Sequence, residues 1–209
     1  MDASEIYPDG FHPFRTDMNR DFTGPAAQKY TRTQRPPKYY WIDFGLSVGF
    51  DNSDKFPRAV TLRGGDKSVP EFQDILQVHK ARDPFPTDIY YLGNIIRMYF
   101  TEGHSNVIDG RKYGLDFMKP LVDAMVQDDM SKRPTIDQCV IHLEEIIRSQ
   151  SSCTLRAQVW HSTDNPIGFI YRFLPHWRRR IVYIITRKPA VPSWSRRSKS
   201  APLASRVPR

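Results

Sequence analysis

The chain has 209 residues, enough for one domain of ordinary size or a smaller domain with tails. Hydrophobic residues make up 39%, mean hydropathy is -0.57, and no apolar run approaches the roughly 20 residues that cross a bilayer, which excludes an integral membrane bundle. The formal charge of +8 is unevenly placed: residues 1–164 carry 20 basic and 23 acidic side chains (net -3), whereas residues 165–209 carry 11 basic and no acidic ones (net +11).

The body of the chain is therefore no obvious polyanion binder, and the basic character belongs to its end. The opening MDASEIYPDGFHPFR has neither a basic start followed by an apolar stretch nor a small-residue cleavage site, so no secretory signal is expected and the expected compartment is cytosol or nucleus. Cys139 and Cys153 give no disulfide framework and no zinc spacing.

From residue 1 to 37 there is no sustained apolar periodicity, and Pro8, Pro13, Pro25, Pro36 and Pro37 interrupt any helix, which predicts an irregular arm or insertion. Lys38–Ile42 is short and β-prone and ends at Asp43–Phe44–Gly45, which predicts a strand followed by a turn. Residues 46–86, with Gly64–Gly65 and four prolines, read as a long loop. Ile89, Leu92, Ile95, Ile96 and Tyr99 recur at helical spacing, with Thr87 placed as the cap. A second helix is marked by Leu115, Met118, Leu121, Val122, Met125 and Val126. A third follows Pro134 with Ile136, Cys139, Val140, Leu143, Ile146 and Ile147 on one face, started by a Thr135/Gln138 capping box. These stripes read as core faces, and Cys139 on one of them as an inert buried thiol. Beyond Ser151 regularity fades into the aromatic and basic run 168–185, and past Pro189 the Pro/Ser/Arg-rich end reads as disorder.

Four short motifs follow one another in this frame: Asp43–Phe44–Gly45, then Val69–Pro70–Glu71, then Asp88–Ile89–Tyr90–Tyr91–Leu92–Gly93, then Arg133–Pro134–Thr135. Each is weak alone, and their order and spacing are what carry weight. In that order the chain resembles the helical C-terminal lobe of the protein kinase superfamily. The run Arg63–Gly64–Gly65–Asp66–Lys67–Ser68 before Pro70–Glu71, with the arm Tyr7–Pro8–Asp9–Gly10–Phe11–His12–Pro13, looks like a group of fungal kinase-like proteins. The resemblance covers residues 38–150, leaving an irregular arm over 1–37 and a basic aromatic extension with a disordered tail over 151–209.

The resemblance implies roles. Asp43 would hold the magnesium that bridges ATP phosphates, with Phe44 and Gly45 completing that nucleotide-side motif and Phe44 packing on the lobe to orient Asp43. Glu71 would pair with Arg133, tying the segment closed by Val69 and Pro70 to a late helix. Asp88 would accept backbone hydrogen bonds from a catalytic loop, and Gly93 completes the central helix motif. The family's cofactors are ATP and magnesium, and its reaction is phosphoryl transfer to a protein Ser or Thr.

The departures set the expected limit on activity. Residues 1–42 hold no glycine-rich loop, no strand lysine and no His-Arg-Asp catalytic loop, and their one histidine is His12. The expectation is thus a mainly α, partial kinase-like fold with a short β element near Asp43 and no N-lobe, starting just past the catalytic machinery and inactive alone. Two classes stay open, an enzyme piece and a pseudokinase-like protein-binding module. Where family members carry a switch, this chain has Gly64 and Lys67; Ser47, Ser53 and Thr61 are ordinary loop hydroxyls. His12, His79, His104, His142, His161 and His176 form no metal pair. The extension 167–209 has three readings: packing on the lobe, binding an anionic membrane surface, or binding nucleic acid.

Overall fold

The computed structural model describes residues 2–51, 53–60, 66–73, 79–103 and 111–191. Thr61, Gly64, Gly65, His104 and the tail from 192 onward lie outside the described residues. The chain is mainly helical with a small two-stranded antiparallel sheet. It divides into two compact units, residues 1–40 with 185–209 and residues 41–184.

In the first unit, residues 2–40 form turns without a helix or strand, as the prolines dictate. Their order comes from local closure. The amide of Lys29 donates to the carbonyl of Ile6, which is buried, and the amide of Asp2 donates to the carbonyl of Lys38 (2.7 Å). Tyr7 and Phe11 meet edge to face, and Arg35 lies 3.9 Å over the Tyr30 ring.

The second unit is built on helices α1 (Pro84–Ile96), α2 (Lys119–Met125) and α3 (Ile136–Ser149). α1 begins where Asp83 accepts from the Phe85 amide, with Pro84 at the first helical position, where a missing N–H costs nothing. The cap is therefore Asp83 and not Thr87, whose hydroxyl is spent elsewhere. The buried face of α1 also differs from the expected stripe. Thr87, Ile89, Tyr90, Gly93 and Asn94 are buried, while Leu92, Ile95 and Tyr99 are exposed. The helix packs by its small and polar residues against segments that sequence periodicity does not see. After Ile96 it widens into a π turn over Arg97–Thr101.

Gly93 is where α1 and α2 come closest. A Cβ at this position would lie 2.6 Å from Met125 Cβ and 3.0 Å from Val126 Cγ1, so only glycine lets the two backbones approach this far. α2 is preceded by a 3-10 turn over Asp116–Met118 and buries Leu121, Val122 and Met125. α3 opens with the expected capping box, Thr135 accepting from the Gln138 amide and Gln138 accepting from the Thr135 amide. The core cluster is Ile89, Leu121, Met125, Cys139 and Ile146, with Phe117, Met118 and Leu143 packed on it. Ile136 and Val140, expected on the core stripe, are about half exposed.

Three further elements follow. A short α4 (Ser152–Leu155) leads to β2 (Trp160–His161), which pairs antiparallel with β1 (Lys112–Tyr113), and α5 runs Pro166–Ile185. Tyr113 stacks on Trp160 at 4.3 Å, so residues 151–184 belong to the same compact unit as 41–150. No strand forms over Lys38–Ile42, which corrects the expected β element near Asp43. β propensity needs a paired neighbouring strand, and among the described residues the one backbone hydrogen bond to this segment, from the Asp2 amide to the Lys38 carbonyl, makes no ladder; Trp41 is 87% exposed and Ile42 81%. Among the described residues no helix is long and apolar enough to cross a membrane.

Candidate functional site

Glu71 of Val69–Pro70–Glu71 and Arg133 of Arg133–Pro134–Thr135 meet in the interior. Val69 is fully buried and fixes the segment, and Pro70 starts a one-turn 3-10 helix that turns Glu71 inward. On the other side, Asp129 caps a 3-10 turn over Met130–Lys132, after which Arg133 is extended (φ -70°, ψ 136°), the conformation a following proline imposes.

The Arg133 guanidinium uses every N–H it has. Nη1 donates to Glu71 Oε1 (2.8 Å) and the Pro86 carbonyl (3.1 Å), Nη2 to Glu71 Oε2 (2.7 Å) and the Asp128 carbonyl (3.4 Å), and Nε to the Gln127 carbonyl (2.7 Å). The side chains are 0% and 4% exposed, and the Tyr90 ring covers the guanidinium at 4.8 Å. Thr87 Oγ1 donates to Glu71 Oε1 at 2.9 Å, which is why Thr87 is not a cap. A buried ion pair is tolerable only when its remaining hydrogen-bonding capacity is filled, and here it is.

A second polar cluster holds the same segment one turn further along α1. The Asn94 side-chain amide donates to Asp66 Oδ2 and to Ser68 Oγ (3.0 Å), and its Oδ1 accepts from Arg97 Nη2 (2.6 Å) and Nε (3.1 Å). Tyr90 Oη donates to the Ser68 carbonyl (3.1 Å). The only sequence signal for this cluster is a polar residue, Asn94, four positions after Tyr90 on a buried helix face.

These contacts set the titration. Burial pushes the Glu71 carboxyl up, but hydrogen bonds from Arg133, a backbone amide and Thr87, together with the Arg133 charge, outweigh it and hold Glu71 below its ordinary value. Asp66 behaves alike: burial raises it, and Ser68, Asn94 and Arg97 bring it below the usual range. A carboxyl lowered in the folded state contributes stability that is present above its unfolded pKa of about 4 and lost as pH falls through the folded value. Urea midpoints measured from pH 6 downward are expected to hold until about pH 4 and then fall steeply. Glu71→Gln should flatten part of that fall, and an unchanged slope in this variant would remove Glu71 from the explanation.

Asp88 sits on α1 at the edge of a groove of about 360 Å³ whose lining includes Leu46, Phe50, Asp83, Phe85 and Tyr91. Burial pushes its carboxyl up, and among the described residues no hydrogen bond reaches it. The acceptor that the resemblance pairs with a catalytic loop thus has no donor among the described residues.

Asp43 stands apart from these groups. It adopts left-handed backbone angles (φ 63°, ψ 63°), tolerated by aspartate, and leads into a 3-10 turn over Phe44–Leu46. Asp43, Phe44 and Gly45 are all exposed. Phe44 is 66% exposed, so the expected packing of this ring on the lobe does not occur. Magnesium with ATP needs several converging oxygen donors, and among the described residues no three His, Cys, Asp or Glu side chains gather to hold a metal ion. The donor set around Asp43 does not fit that group, and no chemical step is assigned to it.

Of the expected site residues, the structure brings Val69, Pro70, Glu71, Gly93 and Arg133 to the interface of α1 with its flanking segments. Asp88 lies at the rim of the neighbouring groove, and Asp43–Gly45 lies on the surface. Comparison with protein-family models, with curated proteins and with solved structures gave no match, so the functional reading rests on the chain's own residues.

Proposed function

We propose that this chain is the helical lobe of a protein-kinase-like protein and that, by itself, it binds protein rather than transferring phosphoryl groups. The observation that supports the reading is the buried, bidentate Glu71–Arg133 pair joining two motifs far apart in sequence. The pair joins positions 62 apart in the sequence, and the resemblance puts a scaffolding pair at these two places. Phosphoryl transfer depends on positioning and on charge stabilisation. The groups that would supply them, a glycine-rich loop, a strand lysine and a catalytic aspartate, have no counterpart in residues 1–42, and Asp43 is a single exposed carboxylate. The groove lined by Phe50, Phe85 and Asp88, with a carboxylate at its rim, suits a partner segment that offers backbone amides and apolar side chains.

The test is the purified chain incubated with magnesium and γ-labelled ATP on a generic basic protein substrate. No incorporation above a no-enzyme control is expected, and none into the chain itself. Magnesium-dependent incorporation that disappears in Asp43→Asn would overturn the reading.

A further inference from the structure

Helix α5 (Pro166–Ile185) has the residue pattern of a helix that lies in an interface. At 100° per residue, Ile170, Phe173, Leu174, Trp177, Ile181, Ile184 and Ile185 share an arc of about 120°. Arg178 falls at one edge of that arc, Arg180 lies near the other, and Arg172 and Arg179 lie on the opposite face. No acidic residue occurs in the helix or anywhere after Asp164.

Most of the apolar arc is uncovered. Leu174 is 66% exposed, Ile185 74% and Ile170 58%, and Ile181 and Ile184 are about half exposed. The partly covered members, Phe173 and Trp177, line an open groove of about 660 Å³ together with Trp160. Arg172 is committed to Asp164, and Arg180 lies 4.9 Å over the Trp177 ring. Arg178 and Arg179 have no carboxylate partner among the described residues. Pro175 lies on the arginine side, so the amide it removes leaves the apolar arc unbroken.

We propose that α5 is a membrane-surface helix that lies flat on an anionic lipid leaflet, with Leu174, Ile181 and Ile185 inserted among acyl chains and Arg178 and Arg179 at the phosphate level. Charge complementarity names the occupant. A surface that is apolar along one arc, cationic beside it and free of acid fits a layer of hydrocarbon under anionic headgroups. Nucleic acid fits less well, because the most exposed members of the arc are aliphatic. Leu and Ile gain nothing from stacking on bases, whereas burial in acyl chains stabilises them. The helix lies on the membrane rather than crossing it, since basic residues interrupt every stretch long enough to span. This inference does not depend on the kinase-like reading of residues 38–150.

The test uses the full chain and sedimentation with vesicles of phosphatidylcholine alone or with about 30% phosphatidylserine. Binding is expected to the anionic vesicles, roughly tenfold weaker to the neutral ones, and weakened by salt. Leu174→Asp with Ile181→Asp, both at exposed positions, should lower binding at least about tenfold with an unchanged circular dichroism spectrum. Arg178→Glu with Arg179→Glu should lower it comparably. A folded chain that ignores anionic vesicles overturns the proposal. So does undiminished binding of the double aspartate variant, which would assign the affinity to charge alone. Retention of a single-stranded RNA probe by that same variant, together with loss of the probe in the arginine variant, would identify the nucleic-acid reading instead.

Discussion

Arg133→Ala should cost about 3–5 kcal/mol of unfolding free energy, the range for removing one partner of a buried ion pair. The substitution strands Glu71 as a charge that is 4% exposed, with Thr87 its one remaining side-chain donor among the described residues. It also withdraws the donors that reach the carbonyls of Pro86, Gln127 and Asp128. Against a domain stability of about 5–15 kcal/mol, this is enough to unfold a large fraction of the protein at physiological temperature. Arg133→Lys should recover little, because an ammonium cannot span both carboxylate oxygens and three carbonyls at once. The discriminating measurement is a double-mutant cycle in urea with Glu71→Ala. The double variant should be markedly more stable than the sum of single losses predicts, because removing both charges leaves none uncompensated. Additivity within about 0.5 kcal/mol would show that the two side chains do not act as a pair.

Met125→Ala should be the other large loss, about 2–5 kcal/mol and toward the upper part of that range. Met125 is 1% exposed at the centre of the core cluster, and its Cβ already touches the place where a Cβ of Gly93 would be. Truncation keeps that Cβ, so α1 and α2 remain held apart at their present spacing and cannot close over the cavity left by the removed thioether. The cost should then follow the cavity and not only the lost transfer energy. Met125→Leu conserves most of the volume and should cost under about 1.5 kcal/mol. Urea midpoints with unchanged slopes would report both. A loss below about 1 kcal/mol for Met125→Ala would mean that the helices relax into the space.

The readable part of the fold was what periodicity and capping chemistry encode locally. α3 is legible because Thr135 and Gln138 satisfy each other's amides and Cys139 and Ile146 fall on one face. α2 is legible from Leu121, Val122 and Met125. The buried face of α1 was legible only at Ile89, because the rest of the burial there follows Thr87, Tyr90, Gly93 and Asn94, which the apolar stripe does not contain. Their partners are Glu71, Met125, Asp66 and Ser68, which only tertiary structure brings near. The supposed strand at Lys38–Ile42 failed for the complementary reason: propensity was present and a ladder partner was not. The β1–β2 pair was invisible because two residues have no period. Of the candidate site, the Glu71–Arg133 contact was reached through resemblance, whereas the surface position of Asp43–Phe44–Gly45 was not, since motif matching says nothing about what packs on an aromatic ring.

The β1–β2 pairing carries a consequence for the order in which the chain assembles. Lys112 finds His161 only after α2, α3 and α4 have been made, so this contact closes a long loop. During synthesis the three core helices can condense as soon as residue 149 has left the ribosome, before Trp160 has emerged to stack on Tyr113. The Trp160 side of the molecule, with α5 behind it, is then a late addition to a nucleus already formed. Substitutions at Tyr113 or Trp160 should therefore speed unfolding more than they slow folding, leaving the birth of the helical core untouched.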